Sequence, residues 1–152
     1  MWRKLKRLGI AQLSDGLVAL PADARTREQL EWIADEVIEA GGSAGIWLAR
    51  PAALAQERDL AAGMAAARTQ EYRSVIAQAA QALATDETAR TATARRLRGE
   101  LRRITRRDYF PPPERDHAHT AVQDLLDQAA AEQEAAGQEA AAEQVEQKEE
   151  QP

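Results

Sequence analysis

The sequence contains no cysteine, which excludes disulfides, thiol nucleophiles and thiolate-held zinc and fits a reducing compartment. Histidine is almost as scarce. His117 and His119 form an H-x-H pair near Glu114 and Asp116, but they follow a proline run and have no third strong ligand close by, so no metal site is expected there. Aromatic residues make up 4% of the chain, and much of its 44% hydrophobic content is alanine. Such a chain builds a thin core, mainly from helices. No apolar run approaches the length of a membrane span, so no membrane partner is expected. The first residues begin basic and turn apolar in the manner of a secretion signal, yet Ser14-Asp15-Gly16 interrupts the apolar run. A glycine-rich phosphate loop, a Gly-x-Ser-x-Gly elbow and a histidine in a catalytic setting are all missing. Glu31, Asp35, Glu36 and Glu39 read as the polar side of one helix. The expectation is a protein that is not an enzyme and needs no cofactor.

What the chain does have is unevenly placed charge. Its formal net charge is −5 over 152 residues, but residues 124–152 carry nine acids and one lysine, which leaves the rest of the chain at +3. Within that remainder, residues 95–107 hold seven arginines, Arg95, Arg96, Arg98, Arg102, Arg103, Arg106 and Arg107, against the single acid Glu100. A second basic group, Arg3, Lys4, Lys6 and Arg7, opens the chain.

The order of elements follows from periodicity and punctuation. Trp2, Leu5 and Leu8 recur at helical spacing, and Gly9 stops that first helix. Residues 10–13 and 17–20 read as strands around an Asp15-Gly16 turn. Asp23 or Thr26 caps a helix, Thr26 with Gln29 fitting a capping box; its apolar stripe is Leu30, Ile33, Ala34, Val37 and Ile38, and Gly41-Gly42 ends it. Residues 43–49 read as a further strand. Residues 51–84 are a long helical region with Gly63 as a weak point, and Thr85-Asp86 breaks it and caps the next helix. That helix turns Ala94, Leu97, Leu101 and Ile104 inward and its arginines outward, with Tyr109-Phe110 and Pro111-Pro112-Pro113 as its stop. A last amphipathic turn or two runs from His117 to Leu126. The fold class is α+β and mostly helical by residue count: a ferredoxin-like βαββαβ unit lacking its first strand, with an appended antiparallel pair of long helices. The domain occupies residues 1–126, with the αββαβ part at 1–50 and the helical extension at 51–126. Residues 127–152 form an acidic Ala/Glu/Gln-rich tail, either disordered or a solvated helix.

These pieces, in this order, resemble a known family. Trp2-Arg3-Lys4-Leu5-Lys6-Arg7-Leu8-Gly9, Asp15-Gly16, Leu20-Pro21, Glu31-Trp32-Ile33-Ala34-Asp35-Glu36 and Gly41-Gly42 are similar to the N-terminal domain of ChrB, the chromate-resistance regulatory protein. The run Leu101-Arg102-Arg103-Ile104-Thr105-Arg106-Arg107-Asp108-Tyr109-Phe110-Pro111 looks like that family's arginine-rich helix and its aromatic-proline stop. The resemblance covers residues 2–125. It implies a first strand ahead of the tryptophan helix, so the natural start is expected upstream of Met1. It also implies a cytoplasmic regulator that senses chromate, and a second domain of similar size where this sequence carries its acidic tail. The expected protein partners are a separately encoded ChrB C-terminal partner or a second copy in a homodimer.

The candidate binding residues are the two basic groups: Arg95, Arg96, Arg98, Arg102, Arg103, Arg106 and Arg107, then Arg3, Lys4, Lys6 and Arg7. Arginine presents a permanent charge on a fixed fork of donors, which suits phosphate and other tetrahedral oxyanions. The expected ligands are a DNA backbone or chromate, in a regulatory or accessory protein of chromate resistance. Against this stands a plain solvated surface, and a second functional class, a non-enzymatic protein-interaction or assembly module.

Overall fold

In the computed structural model, which describes residues 1–149, five helices and one two-stranded sheet follow each other in the order α1 (Trp2–Leu8), β1 (Ala11–Ser14), β2 (Leu17–Ala19), α2 (Ala24–Glu39), α3 (Leu54–Ala82), α4 (Glu87–Thr105) and α5 (Glu114–Glu149). The chain divides into two compact units. One comprises Met1–Thr69 with Thr105–Pro112, and the other Gln70–Ile104 with Pro113–Pro152.

The first unit is built from short elements closed by local chemistry. A seven-residue helix does not hold alone in water, and α1 is anchored by Leu5, its one buried side chain. Trp2, expected to point inward, is 41% exposed. Gly9 ends α1 with φ +75°, returning its N–H to the Lys6 carbonyl. The hairpin is antiparallel, and its register shifts between Gln12 and Ser14. Its turn has a positive φ only at Gly16, so it is not the mirror-image turn that Asp-Gly most often adopts. A reciprocal capping box starts α2: the Thr26 amide donates to the Asp23 carboxylate at 2.7 Å and the Asp23 amide to the Thr26 hydroxyl at 3.2 Å. Thr26 is 2% exposed and also donates to the Pro21 carbonyl at 2.6 Å. The helix ends in a Schellman motif, with Gly42 N–H on Val37 O and Gly41 N–H on Ile38 O, both 2.9 Å.

The strand expected at residues 43–49 does not form. Trp47 and Leu48 are 86% and 89% exposed, so neither side of the segment is buried and nothing fixes a register. With no partner edge, its backbone gains nothing from extension into a ladder. The αββαβ order therefore stops at αββα, and the sheet has two strands.

The second unit holds the main hydrophobic core. Tyr72, Val75, Ala79 and Ala82 from α3 meet Ala94, Leu97, Leu101 and Ile104 from α4, and Ala118, Val122 and Leu125 from α5. The α4 stripe is the one expected from its spacing. Residues 83–86 connect α3 to α4, and the Asp86 carboxylate caps α4 by accepting from the Ala89 amide at 2.9 Å. The third partner, α5, is far longer than the amphipathic turn or two expected over residues 117–126. It buries Ala118, Val122, Leu125 and Ala129, one stripe at steps of three and four. Beyond that the strong helix propensity of Ala, Glu and Gln carries it on.

The arginine helix also ends earlier than expected, at Thr105 rather than at Tyr109-Phe110. The cause is a competition for carbonyls. Arg106 O accepts from Arg25 and Arg107 O from Arg68. A continued helix would have sent Arg107 O and Asp108 O to residues 111 and 112, both prolines without an N–H.

Candidate functional site

The early end of α4 changes what the arginines do. Arg106 and Arg107 leave the helix and belong to the first unit, while Arg95, Arg96, Arg98, Arg102 and Arg103 stay on α4 in the second. In the first unit, Arg7, Arg25, Arg106 and Arg107 line one cleft of about 330 Å³ together with Leu8, Gln29 and Tyr109. No carboxylate is among these residues.

Each wall has a local origin. Arg7 occupies the last turn of α1, where a cation complements the helix dipole, and its Nε donates to the Arg3 carbonyl at 3.3 Å. Arg25 and Gln29 are one helical turn apart at the start of α2, on a face fixed by the Asp23–Thr26 box. Arg25 Nη2 donates to the Arg106 carbonyl at 2.5 Å. The Tyr109 hydroxyl donates to the Leu8 carbonyl at 3.0 Å. Burial raises the Tyr109 hydroxyl above its ordinary range, with Arg25 beside it working the other way, so the phenol remains a proton donor at neutral pH. Next to Leu8 in the chain, Gly9 lies against the main chain of Arg107. A Cβ there would lie 2.8 Å from the Arg107 carbonyl and 2.8 Å from Arg68 Nη1, so only glycine allows this approach.

The remaining expected site residues are distributed otherwise. Arg3 and Lys6 are exposed on α1, and Lys4 is bound to Glu36 through contacts of 2.6 and 2.7 Å. In the second unit Arg96 donates to Gln78 at 2.8 Å and sits 3.5 Å from Glu100. Arg95, Arg98, Arg102 and Arg103 are exposed and form no ion pair among the described residues. The first three follow one face of α4 at steps of three and four. Elsewhere in that unit Arg73 pairs with Glu114 at 2.6 Å, and Arg90 with Glu132. Glu114 is held below its ordinary range by its own backbone amide and then by Arg73.

Three cleft residues were not among the candidate binding residues: Arg25, Gln29 and Tyr109. The i, i+4 spacing of Arg25 and Gln29 behind a capping box was the available signal. Nothing in the sequence tied them to Arg106.

Among the described residues, no group of histidine and carboxylate side chains is arranged to hold a metal, and no helix is long and apolar enough to cross a membrane.

Comparison with known families decides the affiliation. Residues 1–90 match the family described as Protein ChrB, N-terminal, which is more than half of the chain. The chain belongs to the ChrB N-terminal family. That family associates it with chromate resistance. The matched stretch contains α1, the hairpin, α2 and α3, and so supplies Arg7, Arg25 and Gln29 to the cleft. Arg106, Arg107 and Tyr109 come from beyond it. No curated protein and no solved structure matches the chain.

Proposed function

We propose that this ChrB N-terminal family member is a regulatory or accessory protein of chromate resistance, and that it binds a tetrahedral oxyanion in the cleft of Arg7, Arg25, Arg106 and Arg107. The observation that carries the proposal is the convergence of four permanent cations on one cleft with no carboxylate in its wall. Guanidinium forks are matched to tetrahedral oxyanions. On this reading the protein is cytoplasmic and non-enzymatic. Its partners are chromate, DNA, and either a second copy or a separately encoded ChrB C-terminal partner. We keep the ferredoxin-like reading for the α1–β1–β2–α2 order alone.

Equilibrium dialysis against chromate tests the cleft. Chromate is expected to bind the full chain, and Arg7→Ala with Arg106→Ala is expected to weaken it at least about tenfold. Absence of binding to the unaltered chain rejects the oxyanion reading.

A second surface supports DNA contact: Arg95, Arg98 and Arg102 present a stripe of exposed arginines, suited to a phosphate backbone. The competing class is an interaction module, favoured by the exposure of Trp32, Trp47 and Leu48 in the first unit. Promoter DNA separates the two. A regulator binds it with an affinity that falls steeply with salt and changes with chromate, whereas no binding at low salt favours the module.

A further inference from the structure

Every polar side chain lining the arginine cleft is a hydrogen-bond donor or is already engaged, with one exception. Arginine has no acceptor. The Tyr109 hydroxyl is engaged as a donor to Leu8. The main-chain acceptors nearby are also taken: Leu8 O by Tyr109, Arg106 O by Arg25, Arg107 O by Arg68. The exception is Gln29. Its amide oxygen Oε1 is buried and has no hydrogen-bond partner among the described residues. An acceptor buried without a partner is unfavourable. The terminal torsion of a glutamine side chain is soft, so a donor arriving in the cleft draws that oxygen to itself.

We infer that Gln29 makes the cleft selective for tetrahedral oxyanions that carry a proton. The inference rests on the oxyanion reading above and adds which oxyanions the cleft prefers. The four guanidiniums hold any tetrahedral dianion alike. The Gln29 Nε2 amide donates to any of them and discriminates nothing. Its oxygen can bond only to an O–H. At neutral pH phosphate keeps a proton and chromate coexists with hydrogen chromate, while sulfate and selenate are fully deprotonated. A site with a buried acceptor binds the first pair with its hydrogen bond made and the second pair with that acceptor left unpaired. Charge and shape alone cannot separate chromate from sulfate, which has the same charge and tetrahedral shape. A single acceptor among donors can, and a protein tied to chromate resistance works against a background of sulfate.

The test is calorimetric titration of the full chain at neutral pH with two pairs of anions of similar size, phosphate against sulfate and chromate against selenate. The unaltered protein is expected to prefer the protonatable member of each pair by about tenfold, the worth of one satisfied buried acceptor. In Gln29→Leu that ratio falls toward one, and in Gln29→Glu, which keeps an acceptor, it persists. Circular dichroism of each variant reports whether α2 is retained. Equal affinity for both members of each pair in the unaltered protein overturns the selectivity while leaving the oxyanion reading intact. Binding of none of the four anions overturns both.

Discussion

The phenolic hydroxyl of Tyr109 donates to the main-chain carbonyl of Leu8 at 3.0 Å, across 101 residues of sequence. This one bond ties the segment after α4 to the end of α1 and sets two walls of the arginine cleft. Tyr109→Phe is expected to cost about 1 kcal/mol, because it leaves the Leu8 carbonyl without its donor. The same bond predicts an alkaline limb. The Tyr109 hydroxyl is raised in the folded protein, chiefly by burial, so its contribution is present below the ordinary tyrosine range and is lost as pH rises through the raised value. Denaturant unfolding of the two proteins across alkaline pH checks both points. Identical midpoints at neutral pH would show that the bond adds nothing.

Gly9 and Gly16 make a matched comparison. Both have positive φ, +75° and +79°, which costs a side-chain-bearing residue roughly 1–2 kcal/mol. Only Gly9 is also crowded, with Arg107 O and Arg68 Nη1 each 2.8 Å from a would-be Cβ, while nothing lies within 4 Å at Gly16. Gly9→Ala is therefore expected to destabilise clearly more than Gly16→Ala. Unfolding midpoints of the two variants decide it, and equal losses would mean the close approach carries no weight.

How far these features were legible in the sequence depends on whether their causes were local. The start of α2 at Asp23 or Thr26, the Gly9 and Gly41-Gly42 stops and the α4 stripe of Ala94, Leu97, Leu101 and Ile104 could all be read, because spacing and side-chain chemistry within a few residues determine them; the capping box itself closes between Asp23 and Thr26 rather than between Thr26 and Gln29. The cleft was half legible. Arg7, Arg106 and Arg107 stood out by charge, but their meeting with Arg25 requires Arg106 to leave the helix, and that depends on a hydrogen bond spanning 81 residues. Residues 43–49 misled for the opposite reason: a strand-like pattern forms a strand only where another edge receives it. The length of α5 was left open between a disordered tail and a solvated helix, because Ala, Glu and Gln provide no apolar period to count.

The α4 stripe gives a quantitative prediction for nucleic acid. Each phosphate contact contributes about 0.9 to the slope of log affinity against log salt. Replacing Arg95, Arg98 and Arg102 with alanine should reduce that slope by roughly 2 to 3 if all three meet phosphates. Fluorescence anisotropy with promoter DNA over a salt series measures it. An unchanged slope clears the stripe of a direct role.

Asp23 predicts an acid limb. The Thr26 amide, first among several donors, holds the Asp23 carboxyl below its ordinary range. Its contribution is therefore present above the ordinary carboxylate range and is lost as pH falls through the lowered value. Asparagine also caps helices, so Asp23→Asn is expected to retain most stability at neutral pH and to flatten part of the acid limb. Glu114, also held low, continues to titrate in the variant and preserves the remainder. Thermal unfolding at a series of acid pH values tests this, and an acid limb of unchanged depth would dissociate it from the cap.

The segment at residues 43–49 offers the sharpest check on the fold. As an unpaired stretch, with Trp47 and Leu48 almost fully exposed, it has no ladder hydrogen bond for proline to remove. A central strand does, and tolerates proline poorly. Leu48→Pro is therefore expected to leave the unfolding midpoint close to that of the unaltered chain, within about 0.5 kcal/mol as for other exposed positions. Substantial destabilisation would show that the segment pairs with a strand edge in solution, as a ferredoxin-like sheet requires. The same variant at rising protein concentration locates that edge. A loss that grows with concentration places the edge on a second copy, because only an intermolecular ladder is favoured by mass action.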